Sequence, residues 1–207
     1  MRDERLRWIY ASTTPDELQE RYDVWSDDYD DDLDSMAWTA PAACAEACRR
    51  ATGNGAAVLD AGCGTGLVGV SLRDAGAARL VGFDLSEGML RRAAERHVYD
   101  ELVQGSLLEP LPFPAASFDA VTSVGVFTFG HVGPEGLAHM IAVIRPNGHL
   151  AMTFRDDVYR SMGFDRAFTA LIDSGQMVEV ERSSPGALLV EDGAPTPMWV
   201  GVWKVLR

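Results

Sequence analysis

Asp60, Gly62, Gly64, Gly66 and Asp84 are the residues of this chain whose types and spacing could do chemistry. The first four fall within residues 58–66, V-L-D-A-G-C-G-T-G, where a short apolar run ends in an acid and three glycines follow at alternate positions. An amphipathic run over 67–75 comes next. Such a stretch is a buried strand, a tight turn that lets a ligand approach the backbone, and a helix whose first N–H groups face that ligand. Asp84 ends a second apolar run, 80–83, and lies 24 residues beyond Asp60. That spacing suits a carboxylate accepting hydrogen bonds from a ribose diol. The pattern points to a cofactor that contains a nucleoside.

Two glycine readings overlap. Gly64-Thr65-Gly66-Leu67-Val68-Gly69 satisfies the dinucleotide fingerprint G-x-G-x-x-G, with Asp84 20 residues after Gly64. A dinucleotide turn, however, runs from apolar strand into its first glycine and presses backbone against a pyrophosphate. Here Asp60 and Gly62 precede that frame, and a carboxylate near the turn repels a diphosphate. The same carboxylate suits an aminoacyl group carrying an ammonium and a sulfonium. S-adenosylmethionine is therefore the favoured cofactor, with an NAD-dependent oxidoreductase as one rival. The other is a protein that binds the cofactor without transferring a methyl group, since fold does not determine chemistry.

Composition narrows the partners. The chain of 207 residues reads as one domain with a short extension, and its 47% hydrophobic content is ordinary for a globular protein. With 31 acids against 18 Lys plus Arg, the net charge is −13. That argues against nucleic-acid and anionic-membrane partners and favours a small-molecule substrate. Three cysteines without framework spacing read as reduced thiols, and no metal site is expected. The N-terminus lacks a signal peptide's apolar core and no run is long enough to span a membrane, so a cytoplasmic protein, a monomer or a dimer, is expected.

Those site residues need a scaffold. Thr14-Pro15-Asp16-Glu17 starts a helix with a Thr cap and Pro at its first position, and Leu18, Tyr22 and Trp25 fall on one face. Six aspartates crowd 27–34; they do not fit a calcium loop and read mostly as a solvated acidic face. An alanine-rich helix over 42–51 precedes an alternation of strands (57–61, 79–84, 101–105, 120–124, 149–154) and helices, the pattern of a parallel sheet covered on both faces. A helix near 164–174 and strands over 176–182 and 198–206 complete an α/β, doubly wound, Rossmann-like domain.

Three blocks carry a family resemblance: Y-D-V-W-S-D-D-Y-D at 22–30, residues 59–69, and 111–131 with L-P-F-P-A-A-S-F-D-A-V and the start of G-H-V-G-P. On these blocks, over about residues 20–150, the chain resembles the class I S-adenosylmethionine-dependent methyltransferases. Within that group it is similar to the small methyltransferase-like proteins of the Williams–Beuren chromosome region and their bacterial relatives. The resemblance implies a seven-stranded sheet of order 3-2-1-4-5-7-6 with strand 7 antiparallel, an N-terminal helical lid over residues 1–40 and a cofactor-binding domain over 41–207.

It also implies roles. Asp60, Gly62, Cys63, Gly64, Thr65 and Gly66 would form the turn under the cofactor, Asp84 would hold the ribose, and Leu85, Ser106 and Leu107 would surround the adenine, the alternative for the two leucines being loop residues packed on the core. Many family members carry an aspartate where Ser106 stands. Val124 and Gly125 would line the same cleft, and Tyr22, Trp25 and Tyr29 would close over it; the alternative for these aromatics is a helix simply packed on the sheet. The aspartate run repels itself, so the segment over about 10–36 is expected to be mobile alone and ordered with ligand. A methyl donor is already activated, so the protein mainly positions the reactants. If a general base is needed, His131 in the loop after the fourth strand is the candidate, a backbone-bonding loop histidine being the alternative. Arg155 and Asp156 sit where substrate contacts fall, or pair with each other.

Overall fold

A computed structural model describes residues 2–128, 131–191 and 193–206. The strands are β1 (Ala57–Ala61), β2 (Arg79–Asp84), β3 (Glu101–Gln104), β4 (Phe118–Ser123), β5 (Ile144–Arg155), β6 (Met177–Arg182), β7 (Gly186–Glu191) and β8 (Ala194–Val205). The helices are α1 (Arg2–Tyr10), α2 (Pro15–Trp25), α3 (Tyr29–Ser35), α4 (Ala40–Thr52), α5 (Leu67–Asp74), α6 (Glu87–Glu95), α7 (Gly136–Val143), α8 (Asp156–Ser161) and α9 (Phe164–Asp173). The sheet order is β3-β2-β1-β4-β5-β8-β6, with β7 paired to β8. β1 to β5 run parallel to one another, and β8 is antiparallel to β5, with Leu150 opposite Trp203. This is the expected doubly wound order, its last antiparallel strand now being β8.

Sheet residues alternate between two cores, as the two-residue period of a strand requires. Leu150, Met152 and Phe154 face α7, α8 and α9, where Phe154 packs against Trp199, Phe164 and Phe168. Ala151, Val200 and Val202 face α4 and α5 through small residues such as Ala40, Cys44, Ala47 and Cys48. Helix ends follow local chemistry. Glu17 N–H donates to Thr14 Oγ1 at 3.2 Å, and Met89 N–H donates to Ser86 Oγ at 3.0 Å, so both helices begin at a hydroxyl cap.

The eighth strand is an addition to the sequence expectation. β7 pairs with the first half of β8, Glu191 opposite Ala194, and it ties the N-terminal segment down: Val190 N–H donates to Met36 O at 2.8 Å and Thr39 N–H to Leu188 O at 3.0 Å. Helix α8 is likewise not anticipated from sequence, and the helical segment expected over residues 1–40 divides into α1, α2 and α3 before α4 begins. α1, α2 and α3 share a third core built on Leu6, Ile9, Leu18, Trp25 and Leu33 with Leu189 and Met198.

The aspartate run is mostly the solvated face expected, with two half-buried members engaged in pairs. Asp27, Asp28, Asp31 and Asp34 are exposed, but Asp32 accepts from Trp25 Nε1 and from Arg5, each at 2.9 Å, and Asp30 pairs with Arg96 and Thr65. Cations from α1 and from beyond α6 offset the repulsion that the run has in isolation.

Candidate functional site

Strand order reverses between β1 and β4, and a cleft opens there, outside the carboxyl ends of the strands. Each strand end contributes to it: Gly62 and Gly64 after β1, Asp84 and Leu85 at β2, Ser106 and Leu107 after β3, Val124 and Gly125 after β4. Tyr22, Tyr29 and His131 also line it. These are residues that the sequence singled out, brought from five separate stretches of chain to one place. Gly130, which opens the G-H-V-G-P block, lies outside the described residues.

Asp84 is fixed before any ligand arrives. Gly64 N–H donates to its Oδ2 at 2.7 Å and Ser86 N–H to its Oδ1 at 2.9 Å. Burial raises its pKa, and those backbone donors hold the rise in check. Each oxygen keeps a further lone pair for a hydroxyl. The turn above it is built for close approach. Gly62 has φ +76°, and a Cβ there would lie 2.2 Å from a methyl of Val126. Gly64 has φ +55° and nothing within 4 Å of where a Cβ would stand, so open space borders the backbone beside Asp84.

Five expected residues do not line this cleft. Asp60 is fully buried on the Val58 side of β1, where Tyr99 Oη donates to Oδ2 at 2.7 Å and Thr122 Oγ1 to Oδ1 at 3.2 Å. Strand alternation turns it away from the ligand side, so the structure corrects the idea that it faces an ammonium group. Burial pushes its carboxyl up to about 7, against the two hydrogen bonds. Cys63 is buried beneath Gly82, its thiol pushed well up by burial. Thr65 bonds Asp30, and Gly66 abuts Arg96 and Tyr99, so both lie behind the turn. Trp25 faces a neighbouring cavity instead.

Tyr22 Oη lies 2.7 Å from His131 Nε2, the two rings meeting edge to face. Burial raises the pKa of both Tyr22 and Tyr29, so both phenols stay protonated at neutral pH. Arg155 pairs with Asp157 at 3.0 Å and Asp156 with Arg160 at 3.4 Å. His139 Nδ1 lies 3.1 Å from Leu107 O and steadies that loop.

Sequence reasoning does not reach Tyr10, Trp38, Phe127 or Thr128. They line the neighbouring cavity with Tyr22, Trp25 and Tyr29. The only local signal is an aromatic excess near the acidic run. Among the described residues, no cluster of metal-ligating side chains and no helix long and apolar enough to cross a membrane is present.

Comparison with known proteins bears on the family and the fold. Residues 58–148 match the family model described as a methyltransferase domain. The human methyltransferase-like protein 27 is 35% identical over 175 residues, covering 82% of this chain and 71% of that protein. A shorter stretch is 42% identical to the bovine 18S rRNA (guanine-N(7))-methyltransferase, covering 32% of this chain and 24% of that enzyme. In fold alone, the [4+2]-cyclase SpnF superposes with a TM-score of 0.71 at 12% identity, over 94% of this chain and 98% of that one.

Proposed function

The chain belongs to the class I S-adenosylmethionine-dependent methyltransferase family, and on that footing we propose that it binds S-adenosylmethionine in the cleft and methylates a small molecule. The carrying observation is the Asp84 carboxylate, held by Gly64 N–H and Ser86 N–H beside a glycine turn with open space in front of it. In this reading Asp84 accepts from a ribose diol, Leu85 and Leu107 sandwich an adenine, and Gly62 and Gly64 bring backbone against the amino-acid half. Ser106 Oγ already accepts from Leu108 N–H at 3.2 Å, so it shapes its loop as well as the cleft. When bound, the cofactor supplies an electrophilic methyl group on a sulfonium. The protein's share is then to orient the acceptor, exclude water and take up a proton where the acceptor carries one, the last falling to His131.

Helices α1 to α3 serve in this reading as the cover. Leu18, Tyr22 and Tyr29 form the cleft wall opposite the strand ends, and the segment docks on α6 through Asp23. Closure would exclude water and complete the acceptor side. A net charge of −13 argues against a phosphate backbone as acceptor, and three free, buried cysteines fit a reducing cytoplasm.

Calorimetric titration with S-adenosylmethionine and with NAD tests the cofactor directly; heat with NAD alone would overturn the assignment. A methylation screen on metabolite extract, read by mass spectrometry, tests the reaction. The kinship in fold to a cyclase supports a second reading, in which the cofactor is bound but its methyl is not transferred. Tight binding with no mass gain in any metabolite would favour it.

A further inference from the structure

A second, partly open cavity adjoins the cleft at the strand ends, and Tyr22, Tyr29 and Gly125 line both. Tyr10, Trp25, Trp38 and Phe127 add further rings to its wall. Its polar groups are few. Thr128 Oγ1 is buried without a hydrogen-bond partner among the described residues, and Thr153 Oγ1 accepts from Gly125 N–H at 3.0 Å, leaving its own proton to donate. Arg155 borders the space, and no Asp or Glu is among the described residues that line it.

We propose that this cavity holds the methyl acceptor, that the acceptor is a planar aromatic hydroxyl compound, neutral or anionic, and that Tyr22 relays its proton to His131. The inference rests on the reading of the cleft as the cofactor site. Aromatic walls select a flat, apolar body. Among the described residues, the lining offers no carboxylate to pair with an ammonium, and Arg155 at its border is already paired with Asp157 at 3.0 Å. The buried Thr128 hydroxyl needs a polar partner, since an unsatisfied buried group is costly, and a hydroxyl or carbonyl on the acceptor supplies one.

Tyr22 is the junction. It borders both cavities, while His131 borders only the cofactor cleft, 2.7 Å from the Tyr22 oxygen. The acceptor O–H donates to Tyr22 Oη as the Tyr22 proton passes to His131 Nε2. The acceptor oxygen forms the bond to the methyl carbon, the carbon–sulfur bond breaks, and its electron pair stays on sulfur, which becomes neutral. The proton leaves His131 to solvent.

The test uses the full chain, 2-naphthol, benzylamine and S-adenosylmethionine. Cofactor affinity is measured first by calorimetry. If no cofactor binds, the cleft reading fails and this inference with it. With cofactor bound, 2-naphthol should quench tryptophan fluorescence saturably and benzylamine should not. Thr128→Val should weaken naphthol binding roughly 10-fold while leaving cofactor affinity within about 3-fold, the scale of one buried hydrogen bond. Tyr22→Phe should keep naphthol binding and lower its methylation on the order of 100-fold at neutral pH, recovering as pH rises and the naphthol ionises unaided. Preferential binding or methylation of benzylamine would overturn the acceptor class. A Tyr22→Phe protein with wild-type rate and pH profile would overturn the relay, and intact cofactor binding in either case would leave the cleft reading standing.

Discussion

Gly88→Ala should loosen the N-terminal cover without harming the sheet. Gly88 lies in the first turn of α6, and a Cβ built there would lie 2.9 Å from Ser26 Oγ, 3.0 Å from Asp23 Cα and 3.1 Å from Asp23 O. Two of these contacts are with backbone, so α2 must shift by several tenths of an ångström. The shift strains a tight cluster, in which Asp23 Oδ1 accepts from Ser86 Oγ at 2.6 Å and from Gly88 N–H at 2.8 Å. A hydrogen bond to a charged group contributes about 1.5–3 kcal/mol, so losing one of the two weakens docking by about 2 kcal/mol, or about 30-fold. Alanine in place of glycine favours α6 itself by about 1 kcal/mol, a gain the undocked state shares. Amide exchange should therefore accelerate about 30-fold across α2 and α3 while β1, β4 and β5 keep their protection. Affinity for S-adenosylmethionine should fall by no more than the same factor. Unchanged exchange in α2 and α3 would refute docking through Gly88, and loss of protection in the sheet would refute the cover as a separable unit.

Three further outcomes follow from the site. Asp84→Ala should weaken S-adenosylmethionine binding by about 10–100-fold, from charge-assisted bonds of about 1.5–3 kcal/mol each, with the far-ultraviolet spectrum intact; an unchanged dissociation constant would sink the ribose assignment. His131→Ala should lower turnover, flatten the acid limb of the pH–rate profile and leave cofactor affinity nearly unchanged, and wild-type turnover would mean that positioning alone suffices. Asp60 gives a pH signature of stability. Its folded carboxyl titrates at about 7 against an ordinary 3.8, so between those values the folded state holds a proton that the unfolded state has lost. Its contribution to stability is therefore greatest below about pH 4 and declines as pH rises to about 7, by up to about 4 kcal/mol. Asp60→Asn should abolish that decline in urea unfolding measured at pH 5 and pH 7.5; identical pH dependence in both proteins would contradict the buried, protonated acid.

The sequence by itself determined the alternation of strands and helices and the local turn at the end of β1, while the strand order came from the family resemblance. Strand and helix periods alternate from residue 57 onward, and the glycine turn and Asp84 announce themselves by local spacing. Such features are local because a strand end, a tight turn and a helix start are consecutive in the chain. β7 had its signal too, an apolar run before Asp192-Gly193, a dipeptide suited to a hairpin turn. Tertiary structure decided the rest. Asp60 and Gly62 are two residues apart, yet Asp60 lies within β1 and is buried against Tyr99, 39 residues further on, while Gly62, past the strand's end with φ +76°, turns the chain to the cleft. The aspartate run reads as self-repelling until the fold brings Arg5 to Asp28 and Asp32, and Arg96 to Asp30. The second cavity is drawn from α1, α2, α3, β5, β7 and β8 together, so no window of sequence contains it. Local order follows from backbone sterics and periodicity, whereas a cavity between elements exists only once long-range packing has fixed their separation.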